Sequence, residues 1–276
     1  MPECYGGVDC ILMKIVRPNP KNKDLGEILD GRMKKVEPEK TQEPRAQMNT
    51  NLDEMARRSY GYGRWDAPYW FIGPEQGTGR HERDDLKQSL ERRCRCWVEL
   101  GGKGLSDCRE FHRCIGEMRW HFKSPKVNLQ STWRPLMLMM MTFLRRPADK
   151  ERLRIYQRDQ WGMLDGETCL IELSGLAAPN AGEATDTSPF LPERIQVIRE
   201  KIREHRPRLV AMYGLDHRSP YEQIAESQIP PEPDPFFCKG PTLLVLTPHP
   251  VSPIRGGNDY WIELGKKLRN HPCHSR

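Results

Sequence analysis

The sequence predicts an α/β protein with a three-layer α/β/α fold around a central, mostly parallel four-stranded sheet. Two observations carry that expectation. Four short apolar runs, each closed by glycine, proline or a polar loop, have the length and composition of strands buried on both faces. Segments of helical period separate them, and alternating strands and helices imply a parallel sheet covered on both sides.

The first run is Tyr69-Trp70-Phe71-Ile72, aromatic and β-branched between Pro68 and Gly73. It ends in the loop Gly73-Pro74-Glu75-Gln76-Gly77-Thr78-Gly79. Helical pattern follows over residues 86–100 and again over 133–145, where the methionines of the apolar run 136–141 read as core filler. The second strand, Thr168-Cys169-Leu170-Ile171-Glu172-Leu173, runs into the small-residue loop Ser174-Gly175-Leu176-Ala177-Ala178-Pro179-Asn180. Residues 192–206 form a helix with Ile195, Ile198 and Ile202 on one face, Pro192 at its start and Pro207 beyond its end. It feeds the strand Leu209-Val210-Ala211-Met212-Tyr213, closed by Gly214. The fourth strand, Thr242-Leu243-Leu244-Val245-Leu246, delivers Thr247-Pro248-His249-Pro250-Val251-Ser252-Pro253, and a last helix covers 258–268.

Composition limits the function classes. With 276 residues, 37% hydrophobic and 30% charged, the chain can bury a sizeable core. No stretch approaches the roughly eighteen apolar residues of a membrane span, and the N-terminus has no signal-peptide pattern, so a soluble, cytoplasmic protein is expected. Residues 1–47 hold five prolines and no sustained period, which predicts a flexible extension before a single α/β domain over 48–276, with Met48 a candidate start. The formal charge is +6, yet residues 80–160 alone carry 19 bases against 11 acids. Arginine and lysine interleaved with Trp97, Trp120, Phe122 and Trp133 suit a phosphate-backbone surface, or equally a solvated face. Nine cysteines without a C-x-x-C pair predict reduced thiols packed as small hydrophobes instead of a disulfide framework. Cys94, Cys96, Cys108, His112 and Cys114 could supply metal ligands, but their spacing fits no common pattern, so no metal is expected.

The strand-end loops hold the chemistry. In doubly wound sheets the working residues gather beyond the carboxyl ends of the strands, which puts Glu75 and His249 on one rim. Two prolines fix the backbone around His249 and remove competing donors, as a hydrogen-bond donor that must not move requires.

Taken in order, Gly73-Pro74-Glu75-Gln76-Gly77 after the first strand and His249-Pro250-Val251-Ser252-Pro253 after the last resemble the two motifs of the uracil-DNA glycosylase superfamily. Residues 206–214, a helix-proline-strand-glycine passage, and the terminal segment 260–268 are similar to it as well. The resemblance covers residues 69–268 and implies a uracil-DNA glycosylase-like fold and a monofunctional glycosylase. Such an enzyme hydrolyses the N-glycosidic bond of uracil, or another deaminated base, and so starts base-excision repair. Glu75 would hold the sugar cation and orient or deprotonate water. His249 would donate to the departing base oxygen. Gly73, Pro74, Gln76 and Gly77 would shape the base pocket, with Glu172, Ser174 or Asn180 reading the base edge and Phe111, Trp120 or Trp133 stacking on it. Ser252, Pro253, Ile254 and Arg255 would contact DNA and offset the few kcal/mol spent in flipping the base. Gln76 stands where the family usually has proline, which implies a looser loop; Gly77 stands where the most uracil-selective members carry tyrosine, which implies a roomier pocket. The expected partner is DNA bearing uracil or another deaminated base, bound by a monomer that needs no cofactor. Competing readings are a uracil-DNA binding protein without turnover, a basic α/β nucleic-acid-binding module, and an N-glycosidase of free nucleosides or nucleotides.

Overall fold

The computed structural model describes residues 42–78, 85–122, 127–180, 182–186, 188–231 and 235–272. All four expected strands are present: β2 (Tyr69–Gly73), β4 (Thr168–Glu172), β5 (Leu209–Tyr213) and β7 (Thr242–Thr247). They pair in parallel in the order β4-β2-β5-β7 and form the centre of the sheet. The sheet is larger than expected and mixed. Seven strands run β3-β1-β4-β2-β5-β7-β6, adding β1 (Gly61–Gly63) antiparallel to β4, β3 (Leu105–Ser106) parallel to β1, and β6 (Phe236–Lys239) antiparallel to β7.

Alternation along the central strands divides the core in two, as side chains of period two must when both faces are buried. Tyr69, Phe71, Leu209, Ala211, Leu243 and Val245 enter one cluster, while Trp70, Ile72, Val210, Met212, Leu244 and Leu246 enter the other. On the first face lie α1 (Gln42–Arg58), α2 (Leu86–Glu99), α3 (Cys108–Cys114), α4 (Trp133–Phe143), α5 (Lys150–Asp159) and, near the C-terminus, the helix Asn258–Arg269. The methionines of α4 are buried there, as core filler should be. Between these in sequence come α6 (Glu183–Asp186), α7 (Leu191–His205) and α8 (Arg218–Ala225), which makes the terminal helix α9. α7 and α8 cover the second face, and Ile195, Ile198 and Ile202 are each under 5% exposed, worth about 1.5–3 kcal/mol apiece on transfer from water.

Two expectations change. Helix α1 begins at Gln42 and buries Leu52, Met55 and Ala56, so regular structure runs across residue 48; residues 1–41 lie outside the described residues. Not all cysteines are reduced. Cys96 and Cys114, on the ends of α2 and α3, form a disulfide across a Cα separation of 5.7 Å, and Cys238 is disulfide-bonded as well, whereas Cys94, Cys108 and Cys169 are free and buried. Spacing could not reveal the pair, because folding alone brings the two helix ends together. Among the described residues, no helix is long and apolar enough to cross a membrane.

Candidate active site

A cavity of about 480 Å³ opens where β2, β4, β5 and β7 end, within the usual range for small-ligand sites. Each central strand contributes to its wall: the loop after β2 gives Glu75, Gln76 and Gly77, β4 gives Glu172, β5 gives Tyr213, and the loop after β7 gives His249 and Val251. The ends of the first and last expected strands therefore meet in one hollow.

The loop after β2 is pinned, not loose. It continues the parallel pairing with the loop after β4: Leu173 N donates to Gly73 O and Ser174 N to Pro74 O, both at 2.8 Å, and Ala178 N donates to Gln76 O at 3.0 Å. Gln76, which should have slackened the loop, is fixed through Oε1, which accepts from Tyr62 Oη at 2.9 Å and Arg93 at 2.8 Å. Gly73 is required by close approach, since a Cβ there would lie 2.2 Å from the phenol end of Tyr213. Gly77 is different: it is exposed and nothing lies within 4 Å of a Cβ placed on it, so that side of the cavity is open.

Glu75 is only 9% exposed, and its carboxyl is held by α6. Oε1 accepts from Gly182 N, and Oε2 lies 3.0 Å from Thr185 N and 2.5 Å from Thr185 Oγ1. The Thr185 hydroxyl also lies 2.6 Å from Pro74 O. Its single proton serves one acceptor at a time. Donated to Glu75, it steadies the carboxylate; donated to Pro74, it leaves Oγ1 to accept from protonated Glu75. Burial raises the Glu75 pKa to about 7 against these hydrogen bonds, and nearby Asp186 adds to the rise.

Glu172 ends β4, is 8% exposed, and its Oε2 has no hydrogen-bond partner among the described residues. Burial lifts its pKa to about 8, with Glu75 pushing the same way and Arg194 opposing. At neutral pH it is therefore mostly a carboxylic acid, carrying one donor and one acceptor, and the residue lines the cavity. Its backbone is clamped by the fully buried Arg194 of α7, which donates to the carbonyls of Glu172 and Leu173 at 2.7 Å and to those of Ala56 and Arg57 at 3.0 and 3.1 Å.

His249 is half-buried, with its ring edge-on to Tyr213 at 5.6 Å. Val251 N donates to Nδ1 at 3.4 Å, which assigns the proton to Nε2. Burial lowers the His249 pKa, and His217 acts in the same direction, so the ring is a neutral N–H donor.

The remaining expected residues divide. Asn180 lines the cavity but is exposed and donates to Glu183 at 3.1 Å. Ser174, 2% exposed, is not in the lining; its Oγ accepts from Leu176 N and closes a local turn. Trp120 and Trp133 line the cavity, whereas Phe111 is buried against Tyr62 at 5.5 Å. Ser252, Pro253 and Arg255 are exposed beside the cavity and Ile254 packs partly onto the core, leaving Val251 as the loop's contribution to the wall. Sequence reasoning missed Tyr62, Arg93, Thr185, Tyr213 and Arg194. Of these only Tyr213, at the end of an expected strand, carried a positional signal.

A second hollow of about 770 Å³ adjoins the first and shares Arg119, Trp120, Ser131 and Val251 with it. Arg134, Lys150 and Arg154 also line it, and no carboxylate does. These cations belong to the basic segment 80–160, and they converge on a groove leading to the Glu75–His249 cavity. No protein-family model matches the chain, and no curated protein matches it.

Proposed function

We propose that the protein is a DNA glycosylase with a uracil-DNA glycosylase-like fold, hydrolysing the N-glycosidic bond of uracil or another deaminated base in DNA and thereby initiating base-excision repair. One observation carries this reading: Glu75 and His249, from loops at opposite ends of the domain's sequence, line one cavity together with Glu172, whose buried Oε2 has no hydrogen-bond partner among the described residues.

Breaking the bond sends its electron pair to the base and leaves positive charge on the sugar. The Glu75 carboxylate stabilises that cation and takes a proton from the water that adds to it. Nε2–H of His249 donates to the base oxygen as negative charge grows there, and its fixed tautomer and two flanking prolines mean that little reorganisation is needed. Neutral Glu172 offers a base edge the donor and acceptor that an amide would offer. The base reaches the cavity only out of the stack, and the cationic groove supplies phosphate contacts that offset part of that cost.

The test is incubation of the purified chain with labelled DNA bearing uracil, hypoxanthine or xanthine, then alkali to cleave abasic sites. Strand cleavage at the damaged base is expected, with Glu75→Gln slower by roughly two to four orders of magnitude. Retention of uracil-DNA without abasic product would instead support a binding protein, and intact DNA with no retention would remove the reading.

A further inference from the structure

Behind the Trp133 wall of the cavity, three side chains form a second constellation. Cys108 opens α3, His112 lies one turn later on the same face, and His121 follows the single 3₁₀ turn Met118–Trp120. All three are buried, at 0%, 8% and 3% exposure. The sulfur and one ring nitrogen from each histidine lie within 4.8 Å of one another. We propose that Cys108, His112 and His121 bind a borderline-soft divalent cation, zinc by preference, as a three-residue site stiffening the cavity wall.

Donor chemistry and geometry agree on this. Bond lengths of about 2.3 Å to sulfur and 2.0–2.1 Å to nitrogen put S and N about 3.5 Å apart at a tetrahedral metal. Cys108 Sγ lies 3.8 Å from His121 Nε2, so small adjustments suffice. Nδ1 of His112 lies 3.4 Å from Cys108 Sγ and donates to the Cys108 carbonyl at 2.6 Å; to coordinate it would give up that bond, its proton moving to Nε2. On binding, the Cys108 thiol gives its proton to solvent and coordinates as thiolate, which a dication enforces. His112 also lines the cavity, so the three-residue site lies directly against it. Thiolate with imidazole selects zinc and its neighbours over magnesium or calcium, which prefer oxygen. The site differs from the group Cys94, Cys96, Cys108, His112 and Cys114, for which the sequence predicts no metal: it shares Cys108 and His112 and adds His121, while Cys96 and Cys114 are bonded to each other.

The experiment is titration of the full-length, chelator-stripped chain with cobalt(II), anaerobically and without reductant, followed by zinc. One equivalent of cobalt should bind with a thiolate-to-metal charge-transfer band in the near ultraviolet, and one equivalent of zinc should bleach it. Cys108→Ser should abolish the band, and His121→Ala should weaken cobalt binding by at least about a hundredfold, more than loss of an outer-shell partner does. Cys94→Ala, which removes a buried thiol outside the cluster, should keep the band. A folded wild-type chain that takes up no stoichiometric cobalt, or a band that survives in Cys108→Ser or disappears in Cys94→Ala, overturns the site. Should Cys108→Ser fail to fold, the wild-type titration decides alone. None of these readouts depends on glycosylase activity.

Discussion

Under the proposed function, substitution of His249 would separate catalysis from binding at the level of one side chain. In the proposed reaction its Nε2–H would meet negative charge that exists only as the base departs, and interactions stronger in the transition state than in the ground state raise the chemical rate. His249→Ala should therefore slow single-turnover excision by about two to three orders of magnitude with little change in affinity for uracil-DNA; equal losses in rate and affinity would mean uniform binding. Glu75 and Glu172 add a pH signature. In the proposed roles Glu75 must lose its proton to act as base, so the rate should rise through about 7, and Glu172 must keep its proton to donate, so the rate should fall above about 8. A narrow bell between those limits is expected for kcat/KM, with the alkaline limb absent in Glu172→Gln; a profile flat from pH 6 to 9 would contradict both roles. The same raised values act on stability. A carboxyl whose folded pKa exceeds its unfolded one favours the folded state at low pH, and that benefit is lost as pH rises through the folded value. Glu172→Gln should thus raise Tm at pH 8 and leave it nearly unchanged at pH 5, as thermal melts at the two pH values would register.

Elements differ in how plainly the sequence announces them. β2, β4, β5 and β7 are buried on both faces, so each is an uninterrupted apolar run that stands out from its surroundings. β1 has glycine at two of its three positions, β3 is two residues long and β6 is a half-exposed edge, so none offers a run or a period to read. The rim was legible for the same reason that the strands were: Glu75 and His249 directly follow them. Thr185 and Gly182, which hold Glu75 from more than a hundred positions away, leave no local pattern. Arg194 shows the limit of periodicity. It sits among the isoleucines of α7 as an ordinary charged residue, yet it is fully buried and anchors four backbone carbonyls at the junction of α1 and the end of β4. Arg194→Met would strip those carbonyls of donors and should destabilise the fold on the order of 3–5 kcal/mol. A denaturant midpoint within experimental error of wild type would refute the clamp.

Charge acts on the molecule as a whole. A net +6 over 276 residues is modest, and much of the surface cation content is neutralised locally, as where Arg203 and Lys239 meet Glu226. Arg134 and Lys150 are exceptions: they form no ion pair among the described residues, and both line the groove continuous with the cavity. A strand whose flipped base occupies the cavity would lay its neighbouring phosphates along that groove. Each phosphate neutralised releases counterions, so log K falls with log salt by about 0.9 per contact on duplex DNA. The double variant Arg134→Gln/Lys150→Gln should lower that slope by about one per lost contact and weaken plain and uracil-bearing DNA alike. Its single-turnover rate at saturating DNA should stay at the wild-type value, because neither side chain faces Glu75 or His249. Fluorescence anisotropy between about 50 and 200 mM salt measures the slope over the range where phosphate contacts dominate. An unchanged slope would move the phosphate track off this groove and return it to the exposed loop at Ser252 and Arg255.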